Sequence, residues 1–289
     1  MKNFWSFVFA VSVAMATISQ GAPLANLYSV YAIRISSFES KQDVGSGFLL
    51  QASNSVYVVT ARHVLFHQEG TNGWKLNSKK IEVNAFTSMG SLTNEQLVTF
   101  TVDVDLLLTL DEVRYQANRD IALIRIEWCD PTNKSVVTLL RGVQMKSPGV
   151  VLTPAPENQL TTTIDASMVG ADVFLFGYPN SIGIPNHPQI DRTHPLVKKG
   201  IIAGINPSKK TIILDCPVYH GNSGGPVMLR QQVSLTTWEF PVIGIAVEYI
   251  PSLAVWENKS IQTTNQVVLI NTGYSVVESS ESILSLVWQ

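Results

Sequence analysis

The chain predicts an all-β protein of antiparallel strands, and three observations carry that expectation. Apolar and polar residues alternate over short runs, most clearly in Val98-Thr99-Phe100-Thr101-Val102-Asp103-Val104-Asp105; a period of two sets one strand face on a core and the other in water. The runs are closely spaced, with turn residues and no amphipathic helix between them, which argues for a barrel or sandwich. Composition agrees: 289 residues, 45% hydrophobic and 15% charged, are enough for one large domain or two smaller ones with their own cores, and too apolar for disorder.

Taken in order, Met1 to Gly21 reads as a targeting segment. Lys2 precedes an apolar run from Phe4 to Ile18, and Ser19 and Gly21 offer small residues where a signal peptidase could cut. The run falls short of the roughly 20 apolar residues of a spanning helix. The mature chain is therefore expected to be secreted or periplasmic, with no stable membrane insertion once the segment is removed. Strands are expected over Val30 to Ile35, Gly47 to Gln51, Val56 to Thr60, Val98 to Asp105 and Ile121 to Glu127. Arg141 to Asp165 is richer in Pro, Thr and Ser and lacks a long apolar run, as a linker would. A second strand set follows: Asp172 to Phe176, Val197 to Ile205, Thr211 to Asp215, Val227 to Arg230, Val242 to Val247 and Gln266 to Ile270. From Tyr274 to Trp288 the apolar residues fall at roughly helical spacing, which fits a C-terminal helix or a final strand.

Net charge is −2 and the Lys and Arg residues are scattered, so nothing suggests nucleic acid. His67, His187 and His194 have no Cys, Asp or Glu cluster around them in sequence, so no metal site is expected. Asn133-Lys134-Ser135 and Asn258-Lys259-Ser260 match the glycosylation sequon, a short pattern common by chance.

The chemistry concentrates in Tyr219-His220-Gly221-Asn222-Ser223-Gly224-Gly225-Pro226-Val227. A serine hydroxyl needs an adjacent base and a site for the negative charge that forms on an attacked carbonyl. The glycines here can bring the N–H groups of Gly221 and Ser223 to one point. His63, in Val58-Val59-Thr60-Ala61-Arg62-His63-Val64, and Asp120, in Asn118-Arg119-Asp120-Ile121-Ala122-Leu123-Ile124, lie at the ends of apolar strand-like runs. They supply a base and a group to orient it. Gly221-Asn222-Ser223-Gly224-Gly225 also fits the nucleophile elbow of α/β-hydrolases. In that fold, however, the histidine follows the serine, and none of the five histidines here does.

Thr-Ala-x-His, Asp-Ile-x-Leu-Ile and Gly-x-Ser-Gly-Gly-Pro, in that order, resemble the trypsin/chymotrypsin-like serine proteases, from Gly45 to about Val247. Gly45-Ser46-Gly47-Phe48 is similar to the corresponding stretch in bacterial members. The resemblance implies two antiparallel six-stranded β-barrels with a C-terminal helix. Residues 22–150 would form the first, carrying His63 and Asp120, and 151–289 the second, carrying Ser223. It implies a serine endopeptidase that acts on polypeptides through an acyl-enzyme without cofactor or metal. A catalytically silent binding module and an esterase are the alternatives. Catalytic roles fall to His63, Asp120 and Ser223, and the oxyanion site to Gly221 and Ser223. Pro217, at the pocket base by this alignment, carries no charge to select Lys or Arg. Val247 or Tyr249 would narrow the pocket, and His220 stands beside it; a small or medium apolar side chain is the expected occupant. Asn222 stands where zymogen-forming members have an aspartate, so no activating cut is expected near Arg34-Ile35. Cys129 and Cys216 are expected to be free, buried thiols.

Overall fold

The structure, a computed structural model, describes residues 32–70, 73–86, 97–129, 137–146, 152–180, 187–257 and 265–289. The targeting segment and both sequons lie outside them. The first unit is a curled sheet with a separate two-stranded hairpin. Its strands are β1 (Ile33–Ser37), β2 (Asp43–Ala52), β3 (Ser55–Thr60), β4 (Phe66–Glu69), β5 (Gly73–Leu76), β6 (Lys80–Phe86), β7 (Leu97–Asp103), β8 (Val113–Tyr115), β9 (Ala122–Cys129), β10 (Val137–Leu139), β11 (Val143–Met145) and β12 (Ala155–Pro156). The main ladder runs β10-β9-β3-β2-β1-β6-β7-β11, with β8 on β9 and β12 parallel to β2, while β4 and β5 form a separate hairpin. Through β12 the chain stays in the first sheet as far as Pro156, beyond residue 150. Alternation decides which faces are buried: in β6 and β7, Ile81, Val83, Ala85, Val98, Phe100 and Val102 point inward. Burying an aromatic such as Phe48 or Phe100 contributes about 1.5–3 kcal/mol.

The second unit is a closed antiparallel barrel of β13 (Asp172–Gly177), β14 (Leu196–Asn206), β15 (Thr211–Asp215), β16 (Pro226–Leu229), β19 (Val242–Glu257) and β20 (Asn265–Ser279), in the order β13-β14-β15-β20-β19-β16. A small hairpin, β17 (Gln231–Gln232) with β18 (Trp238–Glu239), interrupts it. The all-β reading stands, with one closed six-stranded barrel, one curled sheet and a C-terminal helix.

Three expected elements are corrected. The run from Val98 does not stay extended to Asp105: the Asp103 carboxylate accepts the Leu106 N–H at 3.0 Å and caps a helix over Val104–Thr109. The helix expected from Tyr274 begins only at Ser280, because β20 is paired through Glu278 with β15 and through Ser279 with β19. This helix, Ser280–Val287, buries Ile283, Leu286 and Val287 in a core cluster that residues of both units share, among them Ile124 of the first and Val242 of the second. Arg114 Nη1 donates to the carbonyls of Leu286 at 3.1 Å and Val287 at 2.7 Å, satisfying groups the helix end leaves open. Finally, Val242 to Val247 and Gln266 to Ile270 are parts of one long hairpin. Pro251 and Gly273 are accommodated by a register shift between Tyr249 and Pro251, and a second shift falls between Ala246 and Glu248.

Candidate active site

The helical turn α1 (Arg62–Leu65) follows β3 directly and carries His63. Its ring Nδ1 lies 2.6 Å from Asp120 Oδ2, and the His63 backbone N–H donates to Oδ1 at 2.9 Å. Both carboxylate oxygens are thus engaged by one residue, which fixes the ring and the turn together. Burial pushes the Asp120 carboxyl up, but the hydrogen bonds and charge of His63, with Arg62 beyond, outweigh it and hold the group below its ordinary range.

Two neighbours that sequence reasoning passed over brace this pair. Asn77 Nδ2 donates to the carbonyls of His63 at 2.9 Å and Val64 at 3.1 Å. Arg62 donates through Nη1 to the carbonyls of Gln116 at 2.6 Å and Ala117 at 2.7 Å, and its guanidinium lies 3.8 Å over the Trp74 ring. The histidine turn thereby grips the loop that delivers Asp120.

The Ser223 loop turns on two glycines. Gly221 has φ +90 and Gly224 φ +87, conformations that L side chains rarely adopt. A Cβ on Gly224 would stand 2.1 Å from the Ser46 carbonyl oxygen and 2.9 Å from the Ala61 nitrogen. The serine loop thus lies against the residues that lead into His63. Ser46 is the hub between the units: its N–H donates to the Ser223 carbonyl at 2.8 Å and its Oγ to the Gly221 carbonyl at 2.6 Å, while the same Oγ accepts the Tyr178 N–H at 2.9 Å. The His220 carbonyl accepts the Asn180 N–H at 2.8 Å. Because the peptide is trans, this turns the Gly221 N–H to the opposite side. Among the described residues, neither the Gly221 nor the Ser223 N–H donates to a protein acceptor.

Asn222 is fully buried. Its N–H donates to the Tyr219 carbonyl at 2.9 Å and its Oδ1 accepts the Tyr219 N–H at 3.3 Å. A Cβ on Gly177 would come within 2.7 Å of its Nδ2, so the Gly177-Tyr178 stretch packs closely against the loop.

The segment before the loop is pinned carbonyl by carbonyl: Cys216 by Ser275 Oγ at 2.9 Å, Pro217 by Lys198 Nζ at 2.9 Å and Val218 by Asn271 Nδ2 at 2.7 Å. The Lys198 ammonium also sits 3.9 Å over the Tyr219 ring, and burial pushes it down to about 8. This cation behind Pro217 left no signal in sequence, since it comes from a neighbouring strand. Of the expected pocket residues, His220 and Tyr249 meet edge to face with centroids 6.1 Å apart, whereas Val247 is buried in the core. Cys129 and Cys216 are both buried, and neither is in a disulfide.

Solved structures similar to the chain include three bacterial or extremophile proteases. The serine endoprotease from Yersinia pestis is 13% identical, with TM-score 0.48 over 92% of this chain and 65% of that one, so the chain spans about two thirds of its length. The thermostable serine protease AL20 from an extremophilic microorganism is 14% identical (TM-score 0.47; 92% and 97% covered), and the protease Anisep from Arthrobacter nicotinovorans is 14% identical (TM-score 0.45; 90% and 93% covered). No curated protein sequence matches. A family model described as a trypsin-like peptidase domain matches residues 45–235, more than half of the chain, and the chain belongs to that family.

Proposed function

We propose that the protein is a serine endopeptidase in which Ser223 is the nucleophile, His63 the general base and acid, and Asp120 the group that orients the imidazole. The carrying observation is the two-point hold of Asp120 on His63, at 2.6 and 2.9 Å, in a structure whose Ser223 loop is fastened to the same unit through Ser46. His63 takes the Ser223 hydroxyl proton as Oγ bonds to the scissile carbonyl carbon. The carbonyl oxygen becomes an oxyanion, received by the Gly221 and Ser223 N–H groups. His63 then returns the proton to the departing amine as the C–N bond breaks, leaving an acyl-enzyme. Water, deprotonated by His63, releases the acid and restores Ser223.

The Lys198 ammonium on the Pro217 carbonyl disfavours a cationic substrate side chain at the adjoining pocket, so the expected preference is for uncharged residues before the scissile bond. The apolar run and small residues between Met1 and Gly21 support a secreted or periplasmic location. Profiling a peptide library with the purified protein tests the reading. Cleavage after small or medium apolar residues is expected. No cleavage of any peptide would defeat the endopeptidase proposal, and a profile dominated by Lys or Arg would defeat the pocket reading.

A further inference from the structure

Asp120 has a second support, and it comes from the opposite unit. Glu278 lies on β20, where its backbone pairs with Thr211 on one side and Ile245 on the other. The closed barrel therefore fixes its Cα. Its side chain is only 8% exposed and reaches into the first unit. There Oε1 accepts the Asp120 backbone N–H at 3.1 Å, and Oε2 accepts from Arg119 Nη1 at 3.1 Å. The same Arg119 nitrogen donates to the Lys209 carbonyl at 2.8 Å, on the turn between β14 and β15.

A buried carboxylate is costly unless it is paired and hydrogen-bonded. Arg119 alone would balance the charge. The second oxygen is instead spent on the N–H of the residue whose own carboxylate holds His63. Asp120 is thus tied at both ends, by its side chain to His63 in its own unit and by its backbone to the barrel that carries Ser223.

The geometry points to Glu278 as a positioning residue that sets Asp120 against His63 from the barrel bearing Ser223, so that the registration of the two units fixes the geometry of the pair. Its catalytic consequence rests on the peptidase reading above; the positional coupling does not. Glu278 itself touches no reacting atom. Losing it frees the Asp120 backbone to shift by tenths of an ångström, and the 2.6 Å contact with His63 is where that shift is felt.

The test compares Glu278→Ala, Glu278→Gln and Val277→Ala, the last a core truncation that lowers stability without touching Asp120. Two readouts are taken: the low-field proton resonance of the His63 ring N–H facing Asp120, which needs no turnover, and the pH profile of kcat/KM on a peptide substrate. Glu278→Ala should move or broaden the resonance, shift the acid limb of the profile to lower pH and cut kcat roughly ten- to hundredfold with little change in KM, the scale of a small misplacement. Glu278→Gln keeps an acceptor for the Asp120 N–H and should preserve the resonance; Val277→Ala should lower Tm and leave it unmoved. If Glu278→Ala does not fold, Glu278→Asp, which withdraws the carboxylate by one methylene, should displace the resonance in the same direction. A wild-type resonance in the Ala or Asp variant, or an equal displacement in Val277→Ala, would overturn the inference. A displaced resonance in a protein that cleaves no peptide would instead sink the peptidase reading and leave the coupling in place.

Discussion

Removing a single hydroxyl, in Ser46→Ala, should damage both stability and catalysis. Ser46 is fully buried, and its backbone N–H to the Ser223 carbonyl survives the change. What is lost is Oγ, which donates to the Gly221 carbonyl at 2.6 Å and accepts the Tyr178 N–H at 2.9 Å. Each buried backbone group deprived of a partner costs about 1–3 kcal/mol, so the pair amounts to roughly 2–6 kcal/mol. For a chain of this size each kcal/mol lowers Tm by about 2–4 °C, which puts the fall at roughly 4–24 °C. The kinetic effect follows from where the loss sits, on the residue whose N–H faces the proposed oxyanion. Outright removal of one such donor costs about 10²–10³ in kcat; a loosened one should cost somewhat less, with KM little affected. Thermal unfolding, steady-state kinetics and the rate of acylation by a fluorophosphonate measure all three effects. Wild-type Tm together with a wild-type acylation rate would refute the reasoning, because it would mean the Ser46 hydroxyl does not hold the loop.

Other outcomes follow from the same geometry. Asp120→Asn should reduce kcat by something on the order of 10⁴, through loss of the correct imidazole tautomer; a loss under tenfold would contradict the role given to Asp120. Because the folded Asp120 carboxyl is held below its ordinary value, the stability it supplies is present above the unfolded value, about 3.9, and is lost as pH falls through the folded one; acid unfolding of wild type against Asp120→Asn should show this dependence only in wild type. Lys198 has the opposite consequence. Its folded value near 8 lies below the ordinary 10.5, so the unfolded chain binds more protons between the two and stability should rise with pH across that window. Lys198→Met should flatten this rise in denaturant midpoints. Activity should need no cut after Arg34: that residue pairs with Ser46 and Asn84, and Ile35 with Gly45 and Val83, so cleavage there would break the centre of a sheet. Activity appearing only after such a cut would contradict the expectation.

Alternation made a strand such as β7 legible, because a two-residue period is written locally, while β3 and β13 showed as short continuous apolar runs. It failed at junctions. Val102-Asp103-Val104-Asp105 keeps the strand pattern across a point where Asp103 caps a helix, and the long β19–β20 hairpin runs on past Val247 and Ile270 by shifting register. The three residues at the proposed reaction centre were legible because the chemistry demands their types within short motifs. Their supports were not, because each acts at long range and through an ordinary side chain. Ser46 meets Gly221 across 175 positions, and Glu278 meets Asp120 across 158. Only the fold brings such pairs together, so nothing near Glu278 in sequence hints at Asp120.

The central claim is that Ser223 is a nucleophile activated by His63 and Asp120. Its most direct test is covalent labelling of the purified protein with a fluorophosphonate probe, followed by peptide mass mapping. The account predicts one label, on Ser223, in the wild type, and none in Ser223→Ala or His63→Ala, with peptide cleavage lost in parallel. A label elsewhere, or undiminished peptidase activity in Ser223→Ala, would contradict it.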